Sequence, residues 1–215
     1  MAITLYYGSG SPYAWRVQFA LEHKALPYER KILSFSAGDT RKPEFVALNP
    51  RHQVPTIVDG DFALYESNAI VEYLDEAYPG RGQPLFPGNP KNRALVRRLV
   101  MEADNYLREA TDRVVDYAFY TKPEERDPAK LPEARKAVVD EIAMFTQAMR
   151  GDFLAGELSA ADYAAYPFVA FMKRCEVKLP DLDSDGMLTP ELRAWKARIE
   201  ALPYFAGTVP PHWKQ

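Results

Sequence analysis

Residues 53–67, Gln53-Val54-Pro55-Thr56-Ile57-Val58-Asp59-Gly60-Asp61-Phe62-Ala63-Leu64-Tyr65-Glu66-Ser67, limit the possible folds more than any other part of the chain. A Val-Pro junction leads into a β-branched run, Asp59-Gly60 is a tight-turn dipeptide, and residues 62–65 read as the returning strand of a hairpin. An X-Pro bond adopts the cis form at a cost of only about 0.5–1 kcal/mol. A cis Pro55 would turn the Val54 backbone outward, leaving its N–H and C=O to pair with an extended peptide. Glu66-Ser67 then opens the next helix. The Glu66 carboxylate can hold an ammonium, and Ser67 with the helix N-terminus can hold a carboxylate. Together these groups suit a small peptide with an amino-acid end.

The flanking sequence supplies the rest of such a layer. Residues 3–7 form a short apolar strand, and Gly8-Ser9-Gly10 turns out of it. Ser11 can cap and Pro12 can start a helix running to about residue 24. Its apolar side comes from Val17 and Phe19-Ala20-Leu21. Residues 28–33 read as a second strand, 36–42 as a polar loop, 43–48 as a helical turn and 67–78 as a helix. The order β-α-β-α-β-β-α is that of a thioredoxin-like α/β layer, with helices packed on a small mixed sheet.

Residues 79–90 are dense in Pro and Gly and read as a linker. Strand signals then vanish. Helical patterns cover 92–120, 133–149, 159–175 and 189–202, with a proline-broken loop at 121–132. Ser159 and Asp162 have the spacing of a capping box, and Pro167 is expected to kink its helix or reset its start. The expected organisation is a thioredoxin-like domain at 1–79, a linker at 80–90 and an all-helical domain at 91–215.

Composition narrows the function classes. The 215-residue chain carries a formal net charge of −3, which argues against a nucleic-acid partner. Cys175 is the sole cysteine, excluding an intrachain disulfide, a CxxC pair and a cysteine-rich metal site. His23, His52 and His212 are widely spaced, so no metal is expected. The N-terminal run reads as a strand rather than a signal peptide, and no stretch approaches a membrane span, so a cytoplasmic location without membrane association is expected.

The first helix opens with Ser11-Pro12-Tyr13-Ala14-Trp15-Arg16-Val17. Its first hydroxyl stands at the positive end of a helix dipole. Ser11-Pro12 is also an ordinary cap-and-first-turn pair. Taken with Val54-Pro55, Glu66-Ser67, Ala69-Ile70, Tyr73-Leu74, residues 45–50 and Leu154-Ala155-Gly156 ahead of Ser159 and Asp162, this start resembles the cytosolic glutathione transferases. The likeness is to the serine type, particularly tau-like and related bacterial groups, and spans nearly the whole chain.

The resemblance implies that glutathione is the co-substrate and Ser11 the thiol-activating residue, with Tyr7 at the end of the first strand as the alternative and Ser9 weaker. It implies that Val54 pairs with the cysteinyl backbone, that Pro55 is cis, and that Glu66 and Ser67 bind the γ-glutamyl end. Gln53 and one of Arg41, Lys42 and His52 would reach the glycyl carboxylate. Tyr106, Tyr117, Phe119, Tyr120, Phe171 and Trp213 are the candidate liners of an apolar electrophile pocket between the two domains. Asp162 reads as a structural cap. A homodimer is implied as well.

The expected activity is conjugation of glutathione to small hydrophobic electrophiles. The alternatives are a glutathione-dependent isomerase or peroxidase, and a transferase-like binding or scaffold protein without catalysis. Trp15-Arg16-Val17 matches the zeta-like maleylacetoacetate isomerases, but Pro12-Tyr13-Ala14 does not, which weakens the isomerase reading.

Overall fold

The computed structural model describes residues 3–213. Alternation along β1 (Ile3–Tyr7) buries Ile3, Leu5 and Tyr7 on one side. The β-branched and aromatic content of these segments favours a pleated, half-buried surface. Pro12 at the first helical position and the Ser11 cap start α1 (Pro12–His23). Next come β2 (Tyr28–Ile32), the short α2 (Pro43–Val46), the hairpin strands β3 (Thr56–Asp59) and β4 (Phe62–Tyr65), and α3 (Ser67–Ala77). The sheet order is β2-β1-β3-β4, with β1 parallel to β2 and antiparallel to β3, and β3 antiparallel to β4. Leu5 lies opposite Ile57, and Ile57 opposite Leu64. Leu5 and Ile57 are fully buried, each burial stabilising the fold by about 1.5–3 kcal/mol. Gly60 takes the positive φ of 65° that the turn requires. Tyr73 donates to the Asp59 carboxylate at 2.8 Å, and Tyr78 donates to the same oxygen, tying the hairpin to α3.

The helical part contains α4 (Pro90–Glu102), α5 (Arg108–Val115), α6 (Lys130–Ala148), α7 (Ala160–Cys175) and α8 (Pro190–Glu200). Asn89 starts α4 by accepting the Asn92 N–H at 3.1 Å, with Pro90 at the first position. The single helix expected over 92–120 is one helical path with a π-helical turn within it at Ala103–Leu107 and a second, Asp116–Tyr120, at its end. Nearly all of α7 is buried, and its Ala-rich sequence lets α4 and α5 approach closely. The expectation that Pro167 resets the start of this helix is not met: α7 runs unbroken from Ala160, before the proline, to Cys175. Asp162 accepts from the Ser159 N–H (2.9 Å), the Ser159 hydroxyl (3.1 Å), the Leu154 N–H (2.9 Å) and Trp195 Nε1 (2.8 Å). It is therefore a structural hub of the helical part.

The chain divides into two compact units, one of residues up to Pro87 with those from Tyr204 onward, the other Gly88–Pro203. This differs from the expected boundaries at 79 and 91 in two places, with residues 214–215 outside the described range. Leu85 and Phe86 are buried, and their N–H groups donate to the Asp75 carboxylate at 2.8 and 3.2 Å. Asp75 also pairs with the buried Lys24 at 3.1 Å. Gly82 (φ +52°) lies so close to α1 that a Cβ there would meet the His23 carbonyl at 2.1 Å. The proline-rich segment as far as Pro87 therefore belongs to the α/β unit.

The second difference is the tail. After α8 the chain returns through α9 (Phe205–Thr208) and a 3-10 turn at Pro211–Trp213. Trp15 donates to the Thr208 hydroxyl at 2.9 Å, and its ring meets Phe205 at 6.4 Å and Trp213 edge-on at 5.2 Å. The tail thus covers a face of α1 that would otherwise expose aromatic surface, and residues Ala14 to Leu21 are buried all round the helix.

Candidate functional site

Three segments of the α/β unit converge on one cavity of about 400 Å³, a size typical of small-ligand sites, which run from roughly 300 to 1,000 Å³. The first is the N-terminus of α1. Ser11, half-buried, accepts the Ala14 N–H at 3.2 Å through its side-chain oxygen. That bond uses a lone pair and leaves the hydroxyl proton available for donation. Among the described residues no acceptor takes it.

The second segment is the approach to β3. Val54-Pro55 is cis. Among the described residues, neither the N–H nor the C=O of Val54 has a backbone partner. Asn49, fully buried, holds this loop in shape: its amide donates to the Gln53 carbonyl at 2.9 Å and to the Thr56 hydroxyl at 3.1 Å, while its oxygen accepts the Arg51 N–H at 2.9 Å. His52 takes φ 58°, and its Nδ1 faces the Thr40 carbonyl at 3.0 Å. A carbonyl only accepts, so Nδ1 carries the proton and Nε2 becomes a donor only when the ring is charged.

The third segment is the start of α3. Glu66 adopts φ 72°, ψ 107°, and its side chain makes no cap bond, leaving the exposed carboxylate to the cavity. A non-glycine residue at positive φ is uncommon, and such backbones concentrate at ligand sites. Ser67 is buried behind it. Arg16, 1% exposed, donates from Nη1 to the Ser67 hydroxyl at 3.3 Å and to Asn68 Oδ1 at 2.6 Å, and its guanidinium lies over the Tyr13 ring at 5.3 Å. With a Ser67 lone pair occupied by Arg16, the Ser67 hydroxyl proton is directed elsewhere.

Of the residues expected at the site, Ser11, His52, Gln53, Val54, Pro55, Glu66 and Ser67 line this one cavity. Tyr7 does not: it is 9% exposed, on the buried side of β1. Lys42 is also absent from the lining. It pairs with Asp39 at 2.7 Å, and that carboxylate raises its pKa. Ser9 bonds His212 Nδ1 at 2.6 Å, drawing it toward the tail. Tyr13, Phe35 and Asn49 line the cavity without having been anticipated. Phe35 carries a sequence signal, a lone large apolar residue in a polar loop, and is 58% exposed.

The aromatic residues expected on the acceptor side are divided between the two units. In the helical unit, Tyr106 lines a cavity beside Arg98, Glu102 and Met144, whereas Phe119 and Tyr120 line a different one. Tyr117 lies under the Arg126 guanidinium at 5.5 Å, and Phe171 meets Phe119 edge-on at 6.1 Å. Trp213 packs on Trp15 within the α/β unit. Cys175 is fully buried, and burial pushes its thiol up to about 12, so it stays un-ionised at neutral pH.

A thioredoxin-like layer carrying a peptide-sized groove, in a chain that also has an all-helical unit, defines the class. Residues 10–77 match the family model for the glutathione S-transferase N-terminal domain, and residues 112–203 that for the glutathione S-transferase C-terminal domain. Glutathione S-transferase A of Pleuronectes platessa is 30% identical over 98% of this chain and 92% of its own length. A glutathione S-transferase from the Antarctic clam Laternula elliptica superposes with a TM-score of 0.85 at 32% identity, over 100% of this chain and 95% of that one. The β-etherase LigF of Sphingobium sp. strain SYK-6 shares the fold at a TM-score of 0.81 and 22% identity, over 100% of both chains. The chain belongs to the glutathione S-transferase family, a family of enzymes that use glutathione as co-substrate.

Proposed function

We propose that this chain binds reduced glutathione in the cavity of its α/β unit, ionises the thiol through Ser11, and conjugates the thiolate to small hydrophobic electrophiles. The observation that carries this reading is the convergence of the Ser11 hydroxyl, the unpaired Val54 backbone and the Glu66-Ser67 pair on one cavity. Val54 would pair with the cysteinyl residue through its N–H and C=O. Glu66 would take the γ-glutamyl ammonium, and Ser67, polarised by Arg16, would donate to the adjoining carboxylate. Gln53 and His52 would face the glycyl carboxylate.

An ordinary thiol has a pKa near about 8.5, and lowering it by ~2 units needs about 2.7 kcal/mol of preference for the anion. One hydroxyl donating to an anion supplies roughly 1.5–3 kcal/mol. The helix N-terminus adds about 0.3–1 kcal/mol. Ser11 can supply the first while capping the helix, because accepting the Ala14 N–H makes its own proton a better donor. The thiol proton leaves to solvent, and the thiolate attacks an electrophilic carbon to form a thioether, either expelling that carbon's leaving group to solvent as an anion or adding across an activated double bond whose far carbon then takes a proton from water. Family membership makes a homodimer the expected assembly, and the lone, buried Cys175 fits a cytoplasmic location.

Ultraviolet difference titration of the thiolate in the glutathione-saturated protein tests this. A bound-thiol pKa well below that of free glutathione is expected, with the shift lost in Ser11→Ala. Turnover in that variant should fall about 10–150-fold, the equivalent of 1.5–3 kcal/mol. Binding with an unshifted thiol would overturn the activation role.

A further inference from the structure

The turn that delivers Ser11 to the cavity is Gly8-Ser9-Gly10, in which only the middle residue carries a side chain. Glycine has more backbone freedom to lose than any other residue, so such a turn keeps one shape only if its surroundings impose it. The Ser11 N–H closes the turn on the Gly8 carbonyl at 3.1 Å, and Gly10 sits at φ 85°. A group that is to donate to a reacting atom must be held within about 0.5 Å of its productive position. What grips this turn therefore decides where the Ser11 hydroxyl points.

The grip comes from the far end of the chain. Ser9 Oγ and His212 Nδ1 are 2.6 Å apart, and among the described residues the Ser9 side chain has no other partner. The His212 ring also lies against Gly10, where a Cβ would meet its Cε1 at 2.9 Å and Trp213 Nε1 at 3.6 Å. Trp213 is set edge-on against Trp15 at 5.2 Å, and Trp15 donates to Thr208 at 2.9 Å. The turn, His212, Trp213 and α1 thus form a closed ring of contacts inside the α/β unit. An exposed hydrogen bond such as Ser9–His212 adds little to global stability. Its effect is local, because it acts on the only side chain by which the turn can be held. Neither Ser9 nor His212 lines the cavity, so both act on it through the backbone that leads to Ser11.

We propose that His212 is a positioning residue for thiol activation. Bonded to Ser9 and packed on Gly10, it fixes the turn so that the Ser11 hydroxyl aims its proton at the bound sulfur. The inference rests on Ser11 being the thiol-activating residue.

The test is a double-mutant cycle on the full chain of Ser9→Ala, His212→Phe, which keeps a ring beside Gly10 but removes the bond, and the pair. Bound-thiol pKa is read by ultraviolet difference titration, kcat with 1-chloro-2,4-dinitrobenzene as acceptor, and glutathione Kd by isothermal titration. Each single variant should raise the bound-thiol pKa by about half a unit, and below that pKa the thiolate fraction and kcat should fall roughly three-fold. Glutathione Kd should stay at the wild-type value. The pair should lose no more than either single variant, because both remove one interaction. His212→Asn, whose side-chain amide can occupy the place of Nδ1, should restore the wild-type pKa. Amide exchange at Ser11, which reads the hold on the turn without glutathione, should quicken in both single variants. Thermal melts of the same samples check that each variant keeps its fold.

An unchanged bound-thiol pKa or unchanged Ser11 exchange in the single variants overturns the inference and leaves Ser11 as the activator. Additive losses in the pair, no recovery in His212→Asn, or a change in Kd large enough to explain the lost activity overturns it as well. A shift that survives in Ser11→Ala removes the Ser11 reading itself and this inference with it, whatever His212 does to the turn.

Discussion

Ser11 and Arg16 sit five residues apart on one helix end and serve the groove in different ways. In the proposed mechanism Ser11 combines a structural and a chemical task in one oxygen, because a hydroxyl has two lone pairs and a proton to assign separately. Arg16 is 1% exposed, and its Nη1 connects α1 to the first turn of α3 by donating to both Ser67 and Asn68. In the proposed site it is a positioning residue. Arg16→Met should therefore raise the KM for glutathione about ten-fold or more while leaving kcat and the bound-thiol pKa close to wild type. Arg16→Lys should rescue little, since an ammonium lacks the planar fork. A kcat loss equal to the KM change, read by steady-state kinetics, would contradict that division of roles. Cys175 gives a second residue-scale expectation. With its thiol pushed up to about 12 by burial, it should react with a thiol reagent only slowly in the native protein and fully on denaturation.

At the scale of elements, α7 depends on a carboxylate that sequence spacing identifies as a cap but whose reach extends further. Asp162 binds its own helix end, the Leu154 N–H and the α8 indole of Trp195. Asp162→Ala would strand buried donors, and a loss of about 3–5 kcal/mol in unfolding free energy is expected. Burial pushes the pKa of Asp162 up to about 6, against the pull of those donors, while an unfolded aspartate titrates near about 3.9. The folded state therefore binds more protons between those values, and this group's contribution to stability falls as pH rises through that window and levels above it. The difference in unfolding free energy between wild type and Asp162→Asn should shrink correspondingly from about pH 4 to about pH 6, as followed by denaturant titrations.

The same scale shows what could be read in advance. The hairpin, the Ser11 cap and the Ser159–Asp162 pair are encoded by neighbours in sequence, so local chemistry reveals them. Asn49 acts through a backbone carbonyl and a strand hydroxyl, contacts that leave no periodic trace. Trp15 finds Thr208 across 193 positions of sequence, beyond any local pattern. Its burial accordingly could not be told from that of an ordinary one-faced helix. The aromatic residues at 106, 117 and 120 read alike in sequence, but the two π turns distribute them over different surfaces.

At the scale of the molecule, the α/β unit is assembled from both ends of the chain. A chain ending at Pro203 should retain the sheet but lose the cover over Trp15 and Phe19. A lower Tm and red-shifted tryptophan emission are expected, and an unchanged Tm would show that the tail contributes no stability.

That arrangement also bears on how the protein is made. A ribosome finishes β1 to α3 first, then the whole of Gly88–Pro203, and only afterwards releases the segment that seals α1. At about 5–20 residues per second, an aromatic surface of the nascent chain stays uncovered on the order of ten seconds. During that interval it is a ready target for a chaperone.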